Sequence, residues 1–183
     1  MYAKCPSNSH VVCFDEFGPM ELRPVPGVCW ARKGHTQRIR ATYSRKAGTE
    51  QLLAFYDVYD DVLTGTIHKR KTSQDLLLAW KRLRYCYPAD DRIFMILDNL
   101  SSHRKNILVK YAKSNRITLV FTPTYASWLN AIEAHFTPLK KFCITNSDDP
   151  NHFERRKRIY RYLSIRNREK GSCSSPLSIF RKY

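Results

Sequence analysis

The chain has 183 residues, 43% hydrophobic and 13% aromatic, enough to bury one core and too apolar for a disordered segment. Thirty-two Lys and Arg against sixteen Asp and Glu give a formal charge of +16, which predicts a polyanionic partner. No apolar run approaches the ~20 residues of a membrane span, so no membrane partner is expected. The six cysteines include no C-x-x-C pair, which excludes zinc-finger spacing and argues against a disulfide framework. With MYAKCPSNSH lacking the apolar core of a signal peptide, reduced thiols in a cytosol are the expectation.

In chain order, HVVCFDEFG (10–18) reads as a strand, with MELRPV as its expected hairpin partner before a Pro/Gly break at 24–27. The stretch 31–49 is expected to be a loop or a loose hairpin. EQLLAFYDVYDDVLTGTIH (50–68) predicts two strands around a turn, with Asp57, Asp60 and Asp61 serving the turn. Thr72 with Asp75 predicts a capping box, and Leu76, Trp80, Leu83 and Tyr87 form the apolar stripe of the helix it opens, closed by Pro88. RIFMIL (92–97) reads as a buried strand. RKNILVKYAKSN (104–115) reads as a short helix with Ile107, Leu108, Tyr111 and Ala112 inward, and ITLVFTP (117–123) as another strand.

SWLNAIEAHFTPLKKFC (127–143) is expected to be helical, ended or kinked by Pro138. Leu129, Ile132, Phe136, Leu139 and Cys143 make its core stripe; Asn130, Glu133, Thr137 and Lys140 make a second stripe beside it. A basic helix follows from about 151. Strands first, then strand and helix alternating, predict an α/β fold with a mixed sheet flanked by helices, in one domain. Two basic zones stand out. From Gly27 to Thr49 there is no acid, while Arg32, Lys33, Arg38, Arg40, Arg45 and Lys46 are present; residues 154–170 carry eight Lys and Arg. With tyrosines interleaved, both zones predict nucleic acid as the partner.

Three acids sit in apolar company: Asp15 ends VVCF, Asp98 ends FMIL, and Glu133 lies inside WLNAIEAHF. Singly each is ordinary, because a strand-end Asp starts turns or caps helices and a helix Glu faces solvent. Together at one sheet edge they would repel unless a hard divalent cation neutralised them. Mg²⁺ takes oxygen ligands and suits one or two carboxylates per ion plus a phosphate. Two such ions clamp the attacking and leaving oxygens of an in-line phosphoryl displacement.

FDEFG (14–18), LDNLSSH (97–103) and TPTYASWLNAIEAHF (122–136) resemble the three signature blocks of the mariner-like DDE transposases, in their bacterial and archaeal insertion-sequence branch. Thirty-four residues separate Asp98 from Glu133, as in that branch, and CWARKGH (29–35) resembles the family's Trp-x-x-x-Gly segment. The resemblance covers about residues 10–165. It implies a ribonuclease H-like fold and a Mg²⁺-dependent site, with Mn²⁺ as substitute, that cleaves DNA and transfers the freed 3′-OH to target DNA. Asp15 would bridge two ions, Asp98 hold one and Glu133 the other. Asn99, His103 and Asn130 match the blocks as supporting residues, His103 with an ordinary helix-start hydrogen bond as its first expectation.

Lys140 and Lys141 lie two turns past Glu133, within reach of phosphate. Glu16 should point to the opposite face of the strand from Asp15, and packing is the expected role of Trp30 and Trp128. Partners would be transposon ends and target DNA, held by a homodimer in a nucleoid-associated, cytoplasmic setting. Ala131 stands where the family often has Pro, and no helix-turn-helix domain is expected before the first strand, which puts recognition of terminal repeats in doubt. A ribonuclease H or junction-resolving nuclease on the same fold, or a non-catalytic DNA-binding remnant, remain alternatives.

Overall fold

The protein is described here by a computed structural model that covers residues 2, 5–28, 30–35, 38–41 and 48–168. Its organising element is β1 (Ser9–Glu21), the middle strand of a five-stranded sheet. β2 (Thr49–Asp57) and β3 (Val62–His68) extend the sheet on one side by antiparallel pairing. β4 (Arg92–Leu97) and β5 (Ile117–Phe121) extend it on the other side by parallel pairing, giving the order β3-β2-β1-β4-β5.

Because side chains alternate along a strand, β1 feeds two cores. Val12 and Phe14 face α1 (Ser73–Tyr85) and α2 (Asn106–Ser114), where Trp80, Leu83 and Leu108 are fully buried. Val11 and Cys13 face α3 (Glu133–Cys143) and α4 (His152–Arg168), through Leu139, Cys143 and Ile159. The α1 capping box forms as expected: Asp75 N–H donates to Thr72 Oγ1 at 3.3 Å and Thr72 N–H donates to Asp75 Oδ2 at 3.1 Å. The turn role of Asp57 also holds, its Oδ1 accepting from the N–H groups of Tyr59 and Asp60.

The sequence reading fails at four places. MELRPV is no hairpin partner: β1 runs on to Glu21, and three steps on β1 from Phe17 to Met20 oppose two on β2 from Leu52 to Glu50. That bulge absorbs Gly18-Pro19 without turning the chain. Ile107 is exposed, because α2 packs on the sheet through Leu108 and Ala112 alone, with Tyr111 half-buried beside them. Residues 127–143 are not one helix, since a 3-10 turn (Ser127–Leu129) leaves Leu129 exposed before α3 begins at Glu133. Pro138 does not end α3, where burial of Leu139 and Cys143 outweighs the ~3 kcal/mol cost of an interior proline.

α4 is pinned by charge as well as by packing. Arg155 is fully buried, donates Nε–H to Asp149 Oδ2 at 2.8 Å, and reaches the Glu21 carbonyl at the end of β1. Arg155→Ala should therefore destabilise the fold by about 3 kcal/mol, and Lys157→Ala, exposed on the same helix, by no more than about 0.5 kcal/mol. Urea unfolding of both variants measures this; equal costs would mean that the buried pair contributes nothing.

Candidate active site

β1 and β4 are parallel neighbours, and their last paired residues are Cys13 and Ile96. Asp15 lies two residues past Cys13 within β1, and Asp98 two past Ile96, one residue beyond the end of β4. Glu133 is near enough for its charge to act on Asp15. It is the first residue of α3, where the positive end of the helix dipole favours a carboxylate. Asn130, one turn earlier and buried, donates Nδ2–H to the Phe14 carbonyl at 2.9 Å, which ties the start of α3 to the residue before Asp15.

The carboxylates feel one another. The Asp15 carboxyl is pushed up to about 6, chiefly by burial, with the charges of Asp98, Glu133 and Glu16 adding to it; the hydrogen bond from Glu16 N–H at 2.7 Å opposes the shift. Among the described residues, however, no three His, Cys, Asp or Glu side chains close on a common point at metal-ligand distances. The two observations differ in range. Coulomb repulsion acts over several ångströms and itself holds like charges apart, and Asp98 is drawn elsewhere: its Oδ1 lies 2.8 Å from His103 Nδ1.

His103 is more than a helix-start histidine. Fully buried, it spans from Asp98 to Glu16, whose Oε1 lies 2.9 Å from its Nε2, and Lys71 Nζ sits 3.0 Å from Glu16 Oε2. Glu16 thus points away from Asp15's face, as the strand alternation requires. Burial alone would lower the His103 pKa, but the Glu16 hydrogen bond and the charges of Glu16 and Asp98 outweigh it and raise it. Burial would raise Glu16, and the hydrogen bonds from His103 and Lys71 turn that into a net lowering. His103 thus stands as a strut beneath Asp98, each ring nitrogen facing a carboxylate oxygen.

Other expected site residues spread around this edge. Asn99 is exposed in the loop after Asp98, and Lys140 and Lys141 are exposed in the last turn of α3. Arg32, Lys33 and Arg38 are exposed, whereas Arg40 Nε holds Asp148 Oδ2 at 2.7 Å; Arg45 and Lys46 lie outside the described residues. Trp30 and Trp128 do not pack as expected but stand in solvent. Sequence reasoning passed over Tyr125, 91% exposed at φ 60° in the loop between β5 and the 3-10 turn. A tyrosine in the left-handed region costs on the order of 1 kcal/mol, and this one gains no burial in return. Its signal was present in TPTYASW, an aromatic in a turn-rich run.

The Asp15 shift has a stability consequence. A carboxyl whose pKa is higher folded than unfolded loses stability as pH rises from about 4 through about 6. In EDTA, Asp15 should titrate near 6 by carboxyl NMR, and Asp15→Asn should raise stability at pH 7 by on the order of 1–3 kcal/mol. A wild-type value near 4 would mean that Asp15 is neither buried nor repelled by its neighbours.

Comparison with proteins of curated function finds no match. Solved structures share the fold at low identity. The mariner Mos1 paired-end complex with Mg matches at TM-score 0.65 and 13% identity, covering 97% of this chain and 56% of that one. The Mos1 strand transfer complex matches at 0.60 and 13%, covering 94% and 55%. A chain of the simian T-cell lymphotropic virus intasome, solved with PP2A regulatory subunit B56 gamma, matches at 0.53 and 12%, covering 94% and 46%. The protein thus spans about half the length of these chains, and the likeness establishes a ribonuclease H-like fold. The family model described as DDE superfamily endonuclease matches residues 10–153, and the chain belongs to that family.

Proposed function

We propose that this protein is the catalytic domain of an insertion-sequence transposase, cleaving DNA and joining the freed 3′-OH to a target in a divalent-metal-dependent reaction. The observation that carries the reading is that Asp15 and Asp98 each follow the last paired residues of β1 and β4 by two positions, and that the charges of Asp98 and Glu133 act on Asp15. Family membership supports phosphoryl transfer on DNA. Complexes of the structurally similar Mos1 protein with Mg and with Mn support the choice of metal. The donor set fits a hard dication: three carboxylates, oxygen only, whose mutual repulsion adds to the burial that raises the Asp15 pKa.

Asp15, Asp98 and Glu133 would hold Mg²⁺. When bound, the metal supplies charge neutralisation and Lewis acidity at the scissile phosphate. His103 fixes Asp98 by a charged hydrogen bond. Asn130 Oδ1, buried and without a hydrogen-bond partner among the described residues, is an acceptor free to orient water or a sugar hydroxyl. Water attacks phosphorus and the 3′ oxygen leaves as a hydroxyl. That hydroxyl then attacks a target phosphate, displacing a second 3′ oxygen. No side-chain nucleophile is required, so positioning dominates.

Arg32, Lys33, Arg38, Lys140 and Lys141 offer phosphate contacts, and Tyr125 and Trp128 offer faces for bases loosened at the cut. The paired-end complex of Mos1 supports the holding of two ends together, which a homodimer of this chain would do on nucleoid DNA in the cytoplasm.

Supercoiled-plasmid nicking with Mg²⁺, Mn²⁺ or EDTA tests the reading. Asp98→Asn, Asp15→Asn and Glu133→Gln should each lower metal-dependent nicking at least ~100-fold while DNA affinity stays within about threefold. Full nicking by Asp98→Asn would place the chemistry elsewhere.

A further inference from the structure

At the opposite end of the sheet from Asp98, the C-terminal ends of α1 and α2 and the loops that lead into β4 and β5 enclose a cavity of about 540 Å³. Its walls carry three cations, Lys81, Arg84 and Arg116, and three tyrosines, Tyr85, Tyr87 and Tyr111, with no carboxylate among its lining residues. β4 is six residues long, which puts this groove about 20 Å from the carboxylate edge.

The cations are held for use rather than neutralised. Arg84 is buried, and its guanidinium donates to the backbone carbonyls of Asp91, at 3.2 Å, and of Pro88. Arg116 donates to the Asp90 carbonyl at 2.9 Å. Carbonyls orient a guanidinium without cancelling its charge, and five N–H donors leave some to spare. The nearby Asp91 carboxylate is taken by His10 Nε2 at 3.0 Å. Lys81 has no hydrogen bond or ion pair among the described residues. Tyr85, next to these charges, is 82% exposed and so contributes little to the core.

One buried, carbonyl-held guanidinium and two exposed cations beside an exposed aromatic face offer what a phosphate and an unpaired base require. The volume lies within the range of pockets that take small ligands. We infer that this groove is a second nucleic-acid site, binding single-stranded DNA or RNA through phosphate on Lys81, Arg84 and Arg116 and a base stacked on Tyr85. The site is separate from the carboxylates and stands or falls independently of the strand-transfer reading. It gives the chain a hold on a strand other than the one being cut.

The test is fluorescence anisotropy of the whole chain with a labelled oligothymidylate in EDTA, over a range of salt. Tyr85→Ala should weaken binding about fivefold or more with an unchanged salt slope. Lys81→Glu with Arg116→Glu should weaken it and reduce the slope by about 1.4, two contacts' worth for a single strand. Metal-dependent plasmid nicking should persist in both. Wild-type affinity and slope in both variants would overturn the proposal. So would an oligoglutamate peptide displacing the oligonucleotide as well as unlabelled oligothymidylate does, which would assign the groove to an acidic protein segment. Should either variant misfold, ultraviolet cross-linking of a 5-iodouracil oligonucleotide to wild type decides: attachment at Tyr85, Tyr87 or Tyr111 supports the groove, and attachment only elsewhere overturns it.

Discussion

The parallel register of β1 against β4 is the constraint on which the rest depends. A slip of one residue would move Asp98 off Asp15 and turn every β1 side chain to the wrong face. What prevents the slip is that β1 is buried on both sides. Val12 and Phe14 are committed to the α1–α2 core, and Val11 and Cys13 to the α3–α4 core. Neither set can be exchanged without exposing apolar surface. The accuracy of the carboxylate pair is therefore a product of hydrophobic packing well below the edge where the pair sits.

That edge is electrostatically costly. Burial and like charge keep Asp15 partly protonated near neutral pH, and nothing in the packing requires an acid there. Compensation comes from the other face of the same strand, where His103 and Lys71 meet Glu16 and His103 also meets Asp98. The result is that Asp98 is held from behind by His103 while Asp15 keeps the cost of its burial and of its neighbours' charge. Such local instability at an otherwise well-packed domain is what function imposes on a fold.

Much of this was legible in the chain. RIFMIL forms its strand, Thr72 and Asp75 form their box, and the apolar runs before Asp15 and Asp98 stop at one level of the sheet, where β4 ends and β1 runs on beside β2. These signals are local, carried by side-chain alternation and by spacings of three to four residues. What escaped was non-local or hidden by a local signal of the wrong kind. Gly18-Pro19 looks like a turn, yet pairing with β2 carries the strand through it as a bulge. Glu16 and His103 are 87 residues apart, and Arg40 and Asp148 are 108 apart, so neither pair leaves a spacing to read. Leu129 fits an apolar stripe by periodicity and Trp128 beside it is expected to pack, but the chain there is a 3-10 turn that leaves both exposed.

The account turns on whether the three acids gather a metal. Anomalous diffraction from crystals of the protein soaked in Mn²⁺ answers this most directly. The account predicts a peak bounded by Asp15, Asp98 and Glu133, with Asp98 still held by His103. Ordered carboxylates at saturating Mn²⁺ with no peak between them, or a peak only elsewhere, would contradict it.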